Sequence, residues 1–288
     1  MYRVFFVVLL LIVSQTASLA VNAEEKSNKT IMVSLHPLAL LVKSAWPEVN
    51  VVALMSPNQS PHDFSLKPSD IQRISDADGI VWSGKDFEPY LSDIVQGKSH
   101  LDLSTTLDFH HHDEHFHDHH DEESATVHDP HFWLNPLAIE PILNAIADRF
   151  QLSHGAQFRN QYQQWLAKAR NTLADKADVG FVSFHDAFVD WNEYFELKQL
   201  EKVTINPEQP VGTRHILEVR KILASGEAAC LFVEPQFKVR LVERLTQGLE
   251  VKQVNIDPIA SEFQVKNANF LQYYDQLLDR FITCFNHN

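Results

Sequence analysis

Past Val13 the chain has no apolar run long enough to cross a bilayer, and nowhere does it have a cluster of lysine and arginine. The first absence excludes a later membrane-spanning helix, which takes about 20 predominantly apolar residues. The second, with a formal net charge of −14, disfavours nucleic-acid binding, because that binding is driven by neutralising phosphates. Cations are the natural partners of such a field. Cysteine is scarce as well: Cys230 and Cys284 are the only two. Neither follows the leading apolar run, so a lipid anchor on a processed N-terminus is excluded.

That leading run is informative. The chain opens MYRVFFVVLLLIVSQTASLAVNAEE, with Arg3 as a short basic head and Val4 to Val13 unbroken and apolar. Ser18 to Ala20 and Val21 to Ala23 both fit small-x-Ala cleavage rules. The segment reads as a secretory signal peptide, cleaved after Ala23 or, alternatively, after Ala20. An exported, periplasmic protein follows. Loss of Arg3 would take the net charge from −14 to −15. In an exported protein two cysteines most simply form one disulfide; two buried free thiols are the alternative.

The rest of the chain alternates between strand-like and helical stretches. TIMVS (Thr30 to Ser34), VNVVALM (Val49 to Met55) and GIVWSG (Gly79 to Gly84) read as strands. HPLALLVKSAW (His36 to Trp46) and SLKPSDIQRISDA between them have helical spacing, the second with Ser69 or Asp70 as its cap. NPLAIEPILNAIADRFQ is amphipathic. Gly155 to Ala177 reads as a long helix of roughly 34 Å, with Phe158, Tyr162, Trp165, Leu166, Ala169 and Leu173 on its apolar face and no proline or internal glycine. A second half repeats the plan: strands VGFVSFH, AACLFVE and KQVNID, a helix after NPEQPVG with Thr213 near its start, and a closing helix NFLQYYDQLLDRFITCF. Alternation of this kind predicts βαβ units and mainly parallel sheets. The expected fold is α/β, with two similar lobes. The boundaries are a signal peptide at 1–23, an N-terminal lobe at 24–153, a connecting helix at 154–177 and a C-terminal lobe at 178–288.

Histidine is where the composition is rich. HHHDEHFHDHHDEE carries His110, His111, His112, His115, His117, His119 and His120, and eight acids with no lysine or arginine lie between Asp108 and Asp129. Imidazole is the commonest side-chain ligand for zinc, copper and nickel. A compact site needs its ligands held rigidly, and this run has only Phe116 as an apolar anchor, so 108–129 reads as an acidic loop and an accessory metal binder. His62 in SPHDFSLKPSD, His131 in HDPHFWLNP and His185 at the end of VGFVSFH are different. Each is braced by proline or apolar neighbours, and His62 and His185 fall where strands end, the usual place for a ligand in open α/β sheets. A single histidine beside an aromatic is more often structural, and His36, His154, His215 and His287 are left with that reading, with His100 and His128 as loop residues. Glu234 is at a strand end too, either in the site or in an ordinary ion pair. Asn206 to Pro210 reads as a wall of the cleft or as a rigid turn.

Six stretches, SPHDFSLKPSDIQRISDADGIVWSG, HFWLNP, FVSFHDAF, TINPEQPVGTRHILEVR, CLFVEPQF and NIDPIA, are ordered as in the periplasmic zinc-binding proteins of ABC transporters, in the metal-specific solute-binding group. The chain resembles that family over nearly all of its processed length, and the His/acid-rich insertion before HFWLNP is a mark of its zinc branch. The resemblance implies zinc ligands at His62, His131 and His185, a metal site in the cleft between lobes, and a Cys230–Cys284 bridge. It implies a monomeric carrier, not an enzyme, that delivers zinc to an inner-membrane permease driven by a cytoplasmic ATPase. Manganese-binding relatives place a carboxylate where this chain has His185 and use an aspartate at the position of Asp257. Some zinc members have an acid just before the first motif histidine. Here that residue is Pro61, which offers no side-chain donor, so water, Asp257 or a loop histidine would complete a tetrahedron.

Three neutral imidazoles suit zinc, copper or nickel better than manganese. Rival readings from the same residues are a receptor for another divalent metal (Mn, Cu, Ni), a zinc buffer or chaperone acting through the loop, and a zinc hydrolase, since three histidines and a water are also a catalytic pattern.

Overall fold

The computed structural model describes residues 29–106, 131–237, 239–267 and 269–286. The expected signal peptide and the His/acid-rich loop lie outside them. Among the described residues eight strands form two four-stranded sheets. The first contains β1 (Thr30–Val33), β2 (Asn50–Ala53), β3 (Gly79–Trp82) and β4 (His100–Asp102), in the order β2-β1-β3-β4. The second contains β5 (Phe181–His185), β6 (Gln199–Thr204), β7 (Leu231–Val233) and β8 (Gln253–Asn255), in the order β6-β5-β7-β8. Every pairing is parallel. The second order is the first one repeated, so the α/β reading and the two similar lobes hold.

Parallel strands need both faces covered, and the side chains show which layer covers which. Ile31, Val33, Val81, Phe181 and Phe232 point into one continuous core. Their strand neighbours Met32, Ile80 and Trp82 point into a separate cluster with Ile74. Val182, Phe184 and Leu231 point into another with Val219 and Leu223. The continuous core lies between the two sheets and is filled by α1 (His36–Ala45), α3 (Ile139–Phe150), α4 (Ala156–Leu173), α5 (Val189–Tyr194) and α8 (Phe270–Phe285). The outer faces are covered by α2 (Pro68–Asp76) on the first sheet and by α6 (Thr213–Ser225) and α7 (Val239–Thr246) on the second.

The six residues expected on the apolar face of α4 are all buried. The helix stops at Leu173, one turn short of the expected Ala177, where Lys176 N–H closes a turn on the Leu173 carbonyl. At the start of α2 the expected cap also shifts. Lys67 is the N-cap, Pro68 opens the helix, and Asp70 sits at the third helical position with its carboxylate accepting from Lys67 N–H at 3.0 Å. Proline at the first position fixes φ without losing a needed donor, and this overrides a serine cap one residue later. His100 belongs to β4 and not to a loop.

The lobes are tied by more than α4. The chain returns from β8 to the first lobe. His36 Nε2–H donates to the Phe263 carbonyl at 2.9 Å, Phe270 N–H donates to Ser44 Oγ at 2.7 Å, and Asn135 Nδ2 donates to Asp190 Oδ2 at 2.9 Å. Burial lowers the pKa of His36 below its usual 6.5, outweighing the Phe263 carbonyl and the Asp257 charge, which raise it. The sign follows from linkage. Below about pH 6.5 the unfolded chain takes up a proton that folded His36 refuses, so stability contributed by this residue is intact above that pH and is lost as pH falls toward the lower folded value. His36→Asn should therefore show a smaller drop in melting temperature between pH 7.5 and 5.5 than the parent chain. Equal drops would show that His36 does not carry this linkage.

Candidate metal centre

The strands run parallel within each sheet, so the carboxyl ends of a sheet share one edge, and a crevice opens where neighbouring connections diverge. His185 closes β5 and Glu234 immediately follows β7, on the two central strands of the second sheet. His62 lies after β2 in a short 3-10 turn, Pro61–Asp63, where Ser60 Oγ accepts from His62 N–H at 3.3 Å. His131 precedes the turn Phe132–Leu134, whose three side chains are buried.

The turn after His131 is pinned from the far side. Trp133 Nε1–H and the Tyr273 hydroxyl both donate to the Pro258 carbonyl, at 2.8 and 2.7 Å, and the Tyr274 hydroxyl donates to the Trp133 carbonyl at 2.6 Å. Burial pushes both tyrosine pKa values far up, so these hydroxyls remain donors at any physiological pH.

The three histidines converge. Ring centroids are 5.6 Å apart for His62–His131, 5.0 Å for His62–His185 and 4.9 Å for His131–His185. One ring nitrogen from each lies within 4.8 Å of the other two. Zinc–nitrogen bonds of about 2.0–2.1 Å would bring tetrahedral ligands to roughly 3.3 Å from one another, so separations of 4.8 Å or less suit capture with small adjustments at most. His131 and His185 are buried and His62 is half-buried. Neither ring nitrogen of His185 has an aligned hydrogen-bond partner among the described residues. Buried polar atoms left in that state are costly, and a cation at the centre of the triad would satisfy one of the two.

The cavity between them is also lined by Ser60, Pro61, Glu234, Gln236, Phe237, Pro258 and Ile259. It has room for about one water-sized body, far below the few hundred Å³ of an organic-ligand pocket. That size suits a single ion. Asn206–Pro210 is not part of this wall. It is a turn, in which Gln209 N–H donates to the Asn206 carbonyl at 3.1 Å and Glu208 N–H to Asn206 Oδ1 at 3.0 Å.

Two carboxylates near the site have other work. Asp257 accepts from Gln236 Nε2 at 2.6 Å, Ile259 N–H at 3.1 Å, Ser261 N–H at 2.5 Å and Ser261 Oγ at 2.7 Å. It builds the wall carrying Pro258 and is saturated by donors. Asp186, adjacent to His185 in sequence, turns away to Lys202 Nζ at 2.6 Å and Gln199 Nε2 at 2.9 Å. The carboxylate facing His185 is Glu234, with Oε1 at 3.4 Å from Nδ1. His36 and His215 bond to backbone carbonyls of Phe263 and Lys202, which bears out the structural reading given to them. The loop histidines 110–120, His128 and His287 lie outside the described residues.

Residues 31–284 match the family model described as Zinc-uptake complex component A periplasmic, ZnuA. The chain belongs to the ZnuA family. Members of this family are solute-binding proteins of zinc uptake systems, not enzymes. The chain is 27% identical to the high-affinity zinc uptake system protein ZnuA of Yersinia pestis, covering 93% of this chain and 95% of that one. It is 28% identical to the protein of the same description from Haemophilus ducreyi, covering 90% and 94%. A crystal structure of ZnuA superposes with a TM-score of 0.73 at 17% identity, over 90% of this chain and 99% of that one. The periplasmic zinc-binding protein TroA of Treponema pallidum superposes with a TM-score of 0.70 at 16% identity, over 90% and 99%. At such identities the structures speak for the two-lobed fold alone; ZnuA membership rests on the family match.

Proposed function

We propose that this chain captures zinc in the periplasm on His62, His131 and His185 and hands it to an inner-membrane permease driven by a cytoplasmic ATPase. The observation that carries the reading is the convergence of those three imidazoles in a cavity the size of a single ion, in a chain of the ZnuA family. The protein works as a monomer, exported by a signal peptide at 1–23, and its processed lobes meet through the connector at 154–177. The core shared by both sheets and the hydrogen bonds from 256–274 to the first lobe favour small lobe movements on metal capture.

The histidines between 110 and 120 act as a weaker zinc-collecting arm. Their acidic neighbours attract cations, more strongly at low salt, and the short tether to His131 keeps captured metal at high local concentration.

Zinc at about 100 times its dissociation constant should stabilise the fold by roughly 2.7 kcal/mol, a rise on the order of 5–10 °C in melting temperature. A variant lacking residues 109–121 should keep that shift and one tight equivalent by chelator competition, while losing the weaker equivalents. Loss of the tight equivalent would refute a site made by the three converging histidines. Cells lacking the gene should fail in zinc-starved medium and recover with added zinc; normal growth would favour a buffering role.

A further inference from the structure

Glu234 faces the histidine triad from the end of β7 without being part of it. It is buried, and it is the only acidic residue among the described residues lining the cavity. Its carboxylate pairs with no lysine or arginine among the described residues; the ionisable side chain it meets is His185, Oε1 to Nδ1 at 3.4 Å, with both side chains almost wholly enclosed. An enclosed carboxylate with no cation is expensive, so its placement calls for a compensating role.

The geometry supplies one. Imidazole offers one nitrogen to a metal, and the hydrogen bond at the other decides which nitrogen that is. A carboxylate accepting from Nδ1–H leaves the Nε2 lone pair to the cavity, fixes the plane of the ring and raises its basicity. The 3.4 Å separation is at the long edge of hydrogen-bonding range and is not aligned. Asp257 cannot take the role, because Gln236, Ile259 and Ser261 already occupy both of its oxygens. Asp186 is held by Lys202 and Gln199.

We propose that Glu234 is the positioning residue of the zinc site: it accepts a hydrogen bond from His185 Nδ1–H and thereby presents Nε2 to the metal. This rests on the reading of His62, His131 and His185 as zinc ligands.

The test is a double-mutant cycle on the full exported chain, with zinc affinity measured against a competing chelator. Glu234→Ala should weaken zinc binding about 10–100-fold, the usual range for an outer partner of a metal ligand. Glu234→Gln, which keeps the shape and one acceptor oxygen, should recover part of the loss and guards against misfolding of the alanine variant. A residue acting through His185 loses its effect when His185 is absent, so Glu234→Ala in a His185→Ala background should cost less than about threefold. A merely structural glutamate would cost the same in both backgrounds. Equal costs, or parent-like affinity in Glu234→Ala, overturn the proposal. If His185→Ala alone leaves tight binding intact, the ligand assignment is what fails, a result distinct from either of these.

Discussion

Replacing His185 with alanine is expected to weaken the tight zinc event severely, and His131→Ala and His62→Ala should each do the same. Zinc takes four ligands in a tetrahedron, and each alanine leaves two imidazoles to hold the ion with water. The loss should exceed the roughly 100-fold that marks the upper end for an outer partner. Stability without zinc should move in a different pattern. His185 is enclosed, and both of its ring nitrogens lack an aligned partner among the described residues. Removing them relieves an unmet polar demand that offsets both the cavity left behind and the loss of the loose 3.4 Å contact with Glu234. The zinc-free melting temperature of His185→Ala should therefore stay within a few degrees of the parent, while chelator competition shows the tight event weakened more than about 100-fold. Such a separation marks residues kept for function at some expense to the fold. Unchanged tight binding in any one variant would remove that histidine from the site.

What could be read from the sequence follows the apolar pattern closely. β1, β3 and β5 are central strands and read as runs rich in β-branched and aromatic residues. The face of α4 was legible to the residue, because aromatic spacing at helical period over 18 residues has no competing interpretation. The elements that escaped are edges and short pieces. β6 (QLEKVT) is an edge strand with only Val203 fully buried, so lysine and glutamate interrupt the run. α5 and α7, at 6 and 8 residues, are too short for periodicity to speak.

The site divides in the same way. That His62, His131 and His185 each sit in a braced local setting was visible, but their convergence was not, since spacing along the chain does not determine which strands neighbour each other. Family resemblance supplied the grouping. The meeting of Glu234 with His185 depends on β7 lying beside β5, which no local pattern reveals. The role of Asp257 had a readable signal. An aspartate beginning a turn commonly accepts from the N–H two residues on, and here that donor is Ile259.

Removing the disulfide should cost stability and leave the metal site intact. Cys230 and Cys284 are bonded, both wholly buried, across a sequence separation of 54. In the loop-entropy account a closure of this length is worth roughly 4 kcal/mol, because it restricts the unfolded chain. For a chain of this size that corresponds to a drop on the order of 8–16 °C in melting temperature for the Cys230→Ala/Cys284→Ala pair. Alanine is the better replacement, since serine would bury two hydroxyls without partners. The bridge is close to parts that matter for capture: Cys230 immediately precedes the strand leading to Glu234, and Cys284 lies in the last turn of the helix whose Tyr273 and Tyr274 hold the turn beside His131. Those tyrosine hydrogen bonds do not pass through the bridge, and Phe281 keeps its ring contacts with Phe181 and Phe232 whether or not the sulfurs are joined. The folded geometry around the three imidazoles is therefore over-determined, and zinc affinity in the double variant should stay within about threefold of the parent even as its melting temperature falls. A parallel collapse of affinity would mean that the bridge acts on the folded wall of the site, not on the unfolded chain, and would shift its role from stability to metal capture.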